Sequence, residues 1–87
     1  AAREQADAAL QNLRFAEQAI LIAEDARFVA AEDLRVVRER YGVGAATILD
    51  ILVSQNALTQ AEADVVTSRY DYILARAELE AILGREL

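Results

Sequence analysis

Tyr41-Gly42-Val43-Gly44-Ala45-Ala46-Thr47 is the one place in this 87-residue chain where two glycines break long stretches of helix-forming residues. It reads as a turn. Glycine reaches positive φ at little steric cost, so Gly42 and Gly44 are where a helix can end and the chain reverse. Thr47 is a candidate N-cap, and Asp50 three residues on is placed to satisfy free N–H groups at the start of the next helix. The stretch predicts an all-α fold: a long antiparallel two-helix hairpin with its tip at Gly44.

Outward from the turn, both flanks carry helical periodicity. Read by sevens, residues 6–41 give a column Ala6, Leu13, Ile20, Arg27, Leu34, Tyr41 and a second column Ala9, Ala16, Ala23, Ala30, Val37, which together form a heptad seam. A second apolar stripe runs through Phe15, Ala19, Ile22, Ala26, Val29 and Val36, about 100° around the helix and broken by Asp33. The column Gln11, Gln18, Asp25, Glu32, Glu39 is polar throughout. Beyond the turn, Thr47, Ser54, Ala61, Ser68, Ala75 alternate with Ile51, Leu58, Val65, Tyr72, Leu79 as the first seam. A second seam follows Leu49, Leu52, Asn56, Thr59, Ala63, Val66, Tyr70, Ile73 and Ala77, with Asp50, Asp64, Asp71 and Glu78 as an acidic column between the two.

Folding the chain at Gly44 sets residues whose numbers sum to 88 opposite one another. Large then meets small along the first seams: Leu34 with Ser54, Ala30 with Leu58, Ala23 with Val65, Ile20 with Ser68, Ala16 with Tyr72. Such alternation lets two helices approach without voids. The expected organisation is one hairpin over residues 1–87, with a helix over about 3–41, a turn at 42–46 and a helix over about 47–83, each helix roughly 55 Å long. Two helices cannot cover four apolar stripes, so the second seams are expected to be interaction surfaces and the hairpin to self-associate, most simply as a four-helix bundle.

Composition narrows the function. The net charge is −6 and all nine basic residues are arginines scattered among more numerous carboxylates, which disfavours nucleic-acid binding. Absence of cysteine and histidine removes disulfides, thiol chemistry, the usual zinc sites and imidazole catalysis. No apolar run approaches the roughly 18 residues of a membrane-spanning helix, so this segment is not expected to insert into a bilayer. The chain starts inside a helical pattern without methionine and is expected to be a fragment of a larger protein. Gly42-Val43-Gly44 lacks the lysine and Ser/Thr of a phosphate loop. Neighbouring acids such as Glu24-Asp25 and Glu32-Asp33 point about 100° apart, a poor chelating geometry, and read as solvated charges. No enzyme activity, catalytic residue, cofactor or metal site is expected.

Arg40-Tyr41-Gly42-Val43-Gly44, Thr47-Ile48-Leu49-Asp50-Ile51-Leu52, Gln55-Asn56, Ser68-Arg69-Tyr70-Asp71-Tyr72-Ile73-Leu74-Ala75 and Leu83-Gly84 together resemble the second-repeat helical hairpin of the TolC family, the outer-membrane channels of bacterial efflux pumps and type I secretion systems. The resemblance covers most of the chain and is strongest from Arg40 to Gly84. It implies a structural stave of a periplasmic α-barrel in a homotrimeric parent, packed against neighbouring hairpins and docking a periplasmic adaptor (membrane fusion) protein at its tip. It places the segment in the periplasmic portion of a bacterial outer-membrane protein. Carried over by position, Tyr41, Gly42, Val43, Gly44 and Thr47 form the adaptor-docking tip. Asp50 matches an acidic position at the pore aperture, and Phe15, Ile22, Val29, Val36, Leu52, Val66, Tyr70 and Ile73 are the lateral packing residues of the second seams. Val53 and Ala46 stand where some members carry a further acidic and a basic residue, so a charged aperture is not implied in full.

Several readings stay open at this level. Asp50 fits an aperture carboxylate and equally a first-turn acid stabilised by its helix N-terminus. Arg27 fits a register-fixing ion pair with Glu24, Glu62 or Asp64, or a stem laid along the seam with its guanidinium in water. Two other functions compete: the coiled-coil hairpin of a periplasmic adaptor, whose Arg-x3-Leu-x6-Ser tip pattern is missing here, and a generic self-associating helical interaction module.

Overall fold

The computed structural model describes residues 2–86, with side chains over 3–84. Two helices account for nearly all of it: α1, Ala2–Gly42, and α2, Ile48–Glu86. They pack antiparallel along their length as an extended hairpin measuring 65 × 14 × 13 Å. The radius of gyration is 19.4 Å, against about 12 Å for a compact domain of this length. The long dimension is that of one helix, since 41 residues at about 1.5 Å each span roughly 62 Å.

The first seams form the interior. Ala9, Ala23, Leu34, Ala61, Val65 and Ile82 are buried, together with Ser54 and Ser68. Leu13, Ala16, Ile20, Ala30, Val37, Ile51, Leu58, Tyr72, Ala75 and Leu79 are half-buried. Alanine and serine dominate the small columns because their short side chains admit the large residue opposite. The two buried hydroxyls are satisfied within the hairpin: Ser54 Oγ donates to Asp33 Oδ2 across the helices at 3.0 Å, and Ser68 Oγ donates to the Val65 carbonyl at 2.8 Å. No buried side-chain nitrogen or oxygen among the described residues lacks a partner, as the high cost of orphaned polar groups demands.

Arg27 is exposed, which fits a stem along the seam edge with a wet guanidinium. Among the described residues an ion pair between the helices is made by Arg69, whose Nη2 donates to Glu24 Oε1 at 3.0 Å. Two acids expected to be merely solvated therefore have cross-hairpin roles, Glu24 to Arg69 and Asp33 to Ser54. Both sit at the edge of the first seam, where the opposing helix is in reach.

Helix ends differ slightly from expectation. The first helix runs through Gly42, and the second continues past Leu83 to Glu86. A glycine ends a helix effectively when it takes a left-handed conformation. Among the described glycines only Gly44 has positive φ, at 80°. Gly42 and Gly84 stay helical, and a Cβ on either would meet nothing within 4 Å.

Candidate functional site

The tip is defined by backbone hydrogen bonds. The Ala45 N–H donates to the Arg40 carbonyl at 2.7 Å and the Gly44 N–H to the Tyr41 carbonyl at 3.1 Å. With Gly44 left-handed at the position after the C-cap, this is a Schellman motif closing α1. Three residues later α2 opens with a reciprocal cap: the Asp50 N–H donates to Thr47 Oγ1 at 3.2 Å, and the Thr47 N–H donates to Asp50 Oδ2 at 2.8 Å. This is the capping-box exchange with aspartate in the usual glutamate position. Asp50 thus has a local structural role, its carboxylate held at the α2 N-terminus.

The hydrogen-bonded turn displays apolar surface. Val43 is 81 % exposed at the apex, and Tyr41, Ile48 and Leu49 are exposed beside it. Below the apex an open groove of about 380 Å³ is lined by Asp33, Val37, Arg40, Ala46, Asp50 and Ser54, among others.

Along the shaft, the second seams lie open. Ile22 is 69 % and Val66 67 % exposed, and Phe15, Val29, Leu52, Tyr70 and Ile73 are exposed as well. Val36, in the same column, is half-buried. Their directions differ. On one face of the hairpin Ala19, Ile22 and Ala26 share a groove with Asp64, Thr67 and Asp71, so the α1 stripe leans toward the acidic column of α2. The opposite face is lined by Ala31, Leu34, Arg38 and Leu58 and carries the Arg69–Glu24 pair. At the heptad step, the α2 stripe through Leu52 and Val66 lies about 155° from its inner seam, pointing nearly straight away from α1 and leaning to that opposite face.

Further exposed apolar residues stand outside the stripes read from sequence: Leu21 and Phe28 on α1, and Val53 and Leu74 on α2. The i, i+7 spacing of Leu21 and Phe28 was the available signal. It is masked because the rest of their column is Asp7, Arg14, Arg35 and Gly42.

Charges elsewhere are ordinary helix-surface pairs. Arg35 bonds Glu32 at 3.1 Å and Glu39 at 2.8 Å; the Glu32 hydrogen bond, with the charges of Glu32 and Glu39, raises its guanidinium pKa above the usual arginine value. Arg76 pairs with Glu80 at 3.1 Å. Among the described residues no group of three or more acids could hold a metal ion, and no helix is long and apolar enough to cross a membrane. Compared with models of known protein families, with curated proteins and with solved structures, the chain matches none.

Proposed function

We propose that this hairpin is a structural stave of a TolC-like outer-membrane efflux or secretion channel, packing laterally into a periplasmic α-barrel and docking a periplasmic adaptor protein at its tip. The observation that carries this reading is the pair of exposed apolar stripes, one on each helix of a 65 Å hairpin. A stave between two neighbours requires one such stripe per flank, whereas a self-sufficient hairpin requires none. Exposed Val43 on a hydrogen-bonded turn supports the tip as the docking end, with Tyr41, Gly42, Gly44 and Thr47 shaping it. Asp50 joins this reading as an aperture residue whose carboxylate is oriented by the α2 cap.

The test is a photo-crosslinking amino acid at Val43 of the intact parent in its bacterial cell, with a matched probe at Gln18 on the shaft. A tip-specific adduct with a periplasmic, inner-membrane-anchored adaptor is expected, in an outer-membrane fraction. Absence of the parent from the outer membrane, or equal adducts from both probes, overturns the proposal.

A further inference from the structure

We infer that the face of the hairpin carrying Arg38 is, over the third nearest the tip, a docking surface for an acidic amphipathic helix of a partner protein, seated by its apolar stripe and oriented by a carboxylate on Arg38. This surface lies apart from the flanking stripes and from the apex at Val43. It therefore goes beyond the proposed function and stands or falls separately from it.

Successive turns of α1 build the surface. Phe28, Ala31, Arg35, Arg38 and Tyr41 follow one another at steps of three or four residues, which sets them side by side on one helix face. Phe28 is exposed at one end and Tyr41 at the other. Between them runs an open groove of about 500 Å³ whose apolar lining is Ala31, Leu34 and Leu58. Exposed Ile48 of α2 joins at the tip end, since it shares the heptad column of Arg69, which reaches Glu24 on this same face. An apolar groove of this kind takes the apolar face of a further helix. Phe28 and Tyr41 are separated by about 20 Å of helical rise, room for between three and four turns.

Charge selects the occupant. Arg35 is engaged by Glu32 and Glu39, so Glu39, the carboxylate lining the groove, is already bound. Arg38 makes no hydrogen bond or ion pair among the described residues. Its guanidinium stands free at the groove. The opposite face has the reverse character, with Asp33 and Asp50 near the tip and Asp64 and Asp71 along the shaft. An acidic helix is repelled there and finds its countercharge at Arg38. A second copy presenting this same face would set Arg38 against Arg38.

Fluorescence anisotropy on the 87-residue chain tests this with a stapled helical peptide of about 16 residues, long enough to span the groove. Its leucines repeat at i, i+3, i+4 and i+7, and one Glu flanks that stripe at mid-length; a matched peptide carries Lys in place of the Glu. The Glu peptide is expected to bind, and the Lys peptide to bind at least ~10-fold more weakly. Arg38→Glu should reverse that order. Phe28→Ser should weaken the Glu peptide at least ~5-fold, as loss of an aromatic anchor does. Ile22→Glu and Val66→Glu, which charge the flanking stripes, should leave its binding within ~2-fold, being changes at separate sites.

No binding of the Glu peptide, or equal binding of the two peptides, overturns the inference. Binding that survives Phe28→Ser and Arg38→Glu but is lost with Ile22→Glu or Val66→Glu places the peptide on a flank and overturns it too. Circular dichroism checks that each variant keeps its helicity. Should Arg38→Glu lose it, Arg38→Gln takes its place and is expected to bind the two peptides equally; a preference for the Glu peptide that persists in Arg38→Gln overturns the role of Arg38.

Discussion

Val65 and Val66 are the same side chain on consecutive residues of α2, yet one is 4 % and the other 67 % exposed. About 100° of helical rotation separates them, enough to put one against α1 and the other in solvent. The contrast teaches that the inner and outer stripes of this molecule are alike in kind. What distinguishes them is coverage by the opposing helix.

The sharpest way to break that comparison is to truncate one residue of each class. Leu34→Ala, at a site only 5 % exposed, should cost about 2–4 kcal/mol of hairpin stability. Leu52→Ala should change the monomer by less than about 0.5 kcal/mol, as exposed positions usually do. Urea melts followed by circular dichroism, at a concentration too low for association, would separate the two. Equal losses would mean that the outer stripe is already part of the folded hairpin's core.

A smaller contrast lies within the tip. Gly44 has φ of 80° and Gly42 is helical, although both have open space where a Cβ would go. Gly44→Ala is therefore expected to destabilise by about 1–2 kcal/mol from backbone strain alone. Gly42→Ala should be neutral or stabilise by up to about 1 kcal/mol, by removing chain entropy from the unfolded state. Thermal unfolding of the two variants side by side would show opposite signs; matching losses would refute the assignment of the turn to Gly44.

Next in size is the reciprocal cap. Thr47→Ala should cost about 1 kcal/mol, because the Asp50 N–H loses its acceptor. Asp50→Asn keeps an acceptor for the Thr47 N–H and removes only the charge near the helix N-terminus, for about 0.3–1 kcal/mol that fades with added salt. A loss for Asp50→Asn larger than for Thr47→Ala in denaturant titrations would assign the carboxylate a role beyond the cap. The least effect is expected from Arg69→Ala, which breaks an ion pair whose partners are 59 % and 38 % exposed. Such a pair contributes well under about 1 kcal/mol, and double-mutant cycles with Glu24→Ala would measure it.

Much of this molecule was legible in its residues because helical periodicity is a local property. Proline-free, alanine-rich flanks with columns repeating every seven residues specify two helices, and the alternation of Ala23 with Leu34 on one side and Val65 with Ser54 on the other specifies their mutual register. The Thr47–Asp50 cap was equally readable, since its partners are three residues apart. Leu21 and Phe28 escaped notice because the rest of their column holds no apolar side chain, being Asp7, Arg14, Arg35 and Gly42. Glu24 and Asp33 looked like solvated acids because their partners, Arg69 and Ser54, lie 45 and 21 residues away.

By itself, then, the sequence determined the hairpin, its inner seam and the position of its turn, all of which follow from spacing along one chain. The tertiary structure decided which glycine turns the chain, which acids reach across, and where the outer stripes point relative to each other. Antiparallel helices rotate in opposite senses about a common axis. Columns evenly spaced in sequence therefore emerge on unlike faces, and only the packed pair shows that the α1 stripe leans toward Asp64 and Asp71 while the α2 stripe turns away.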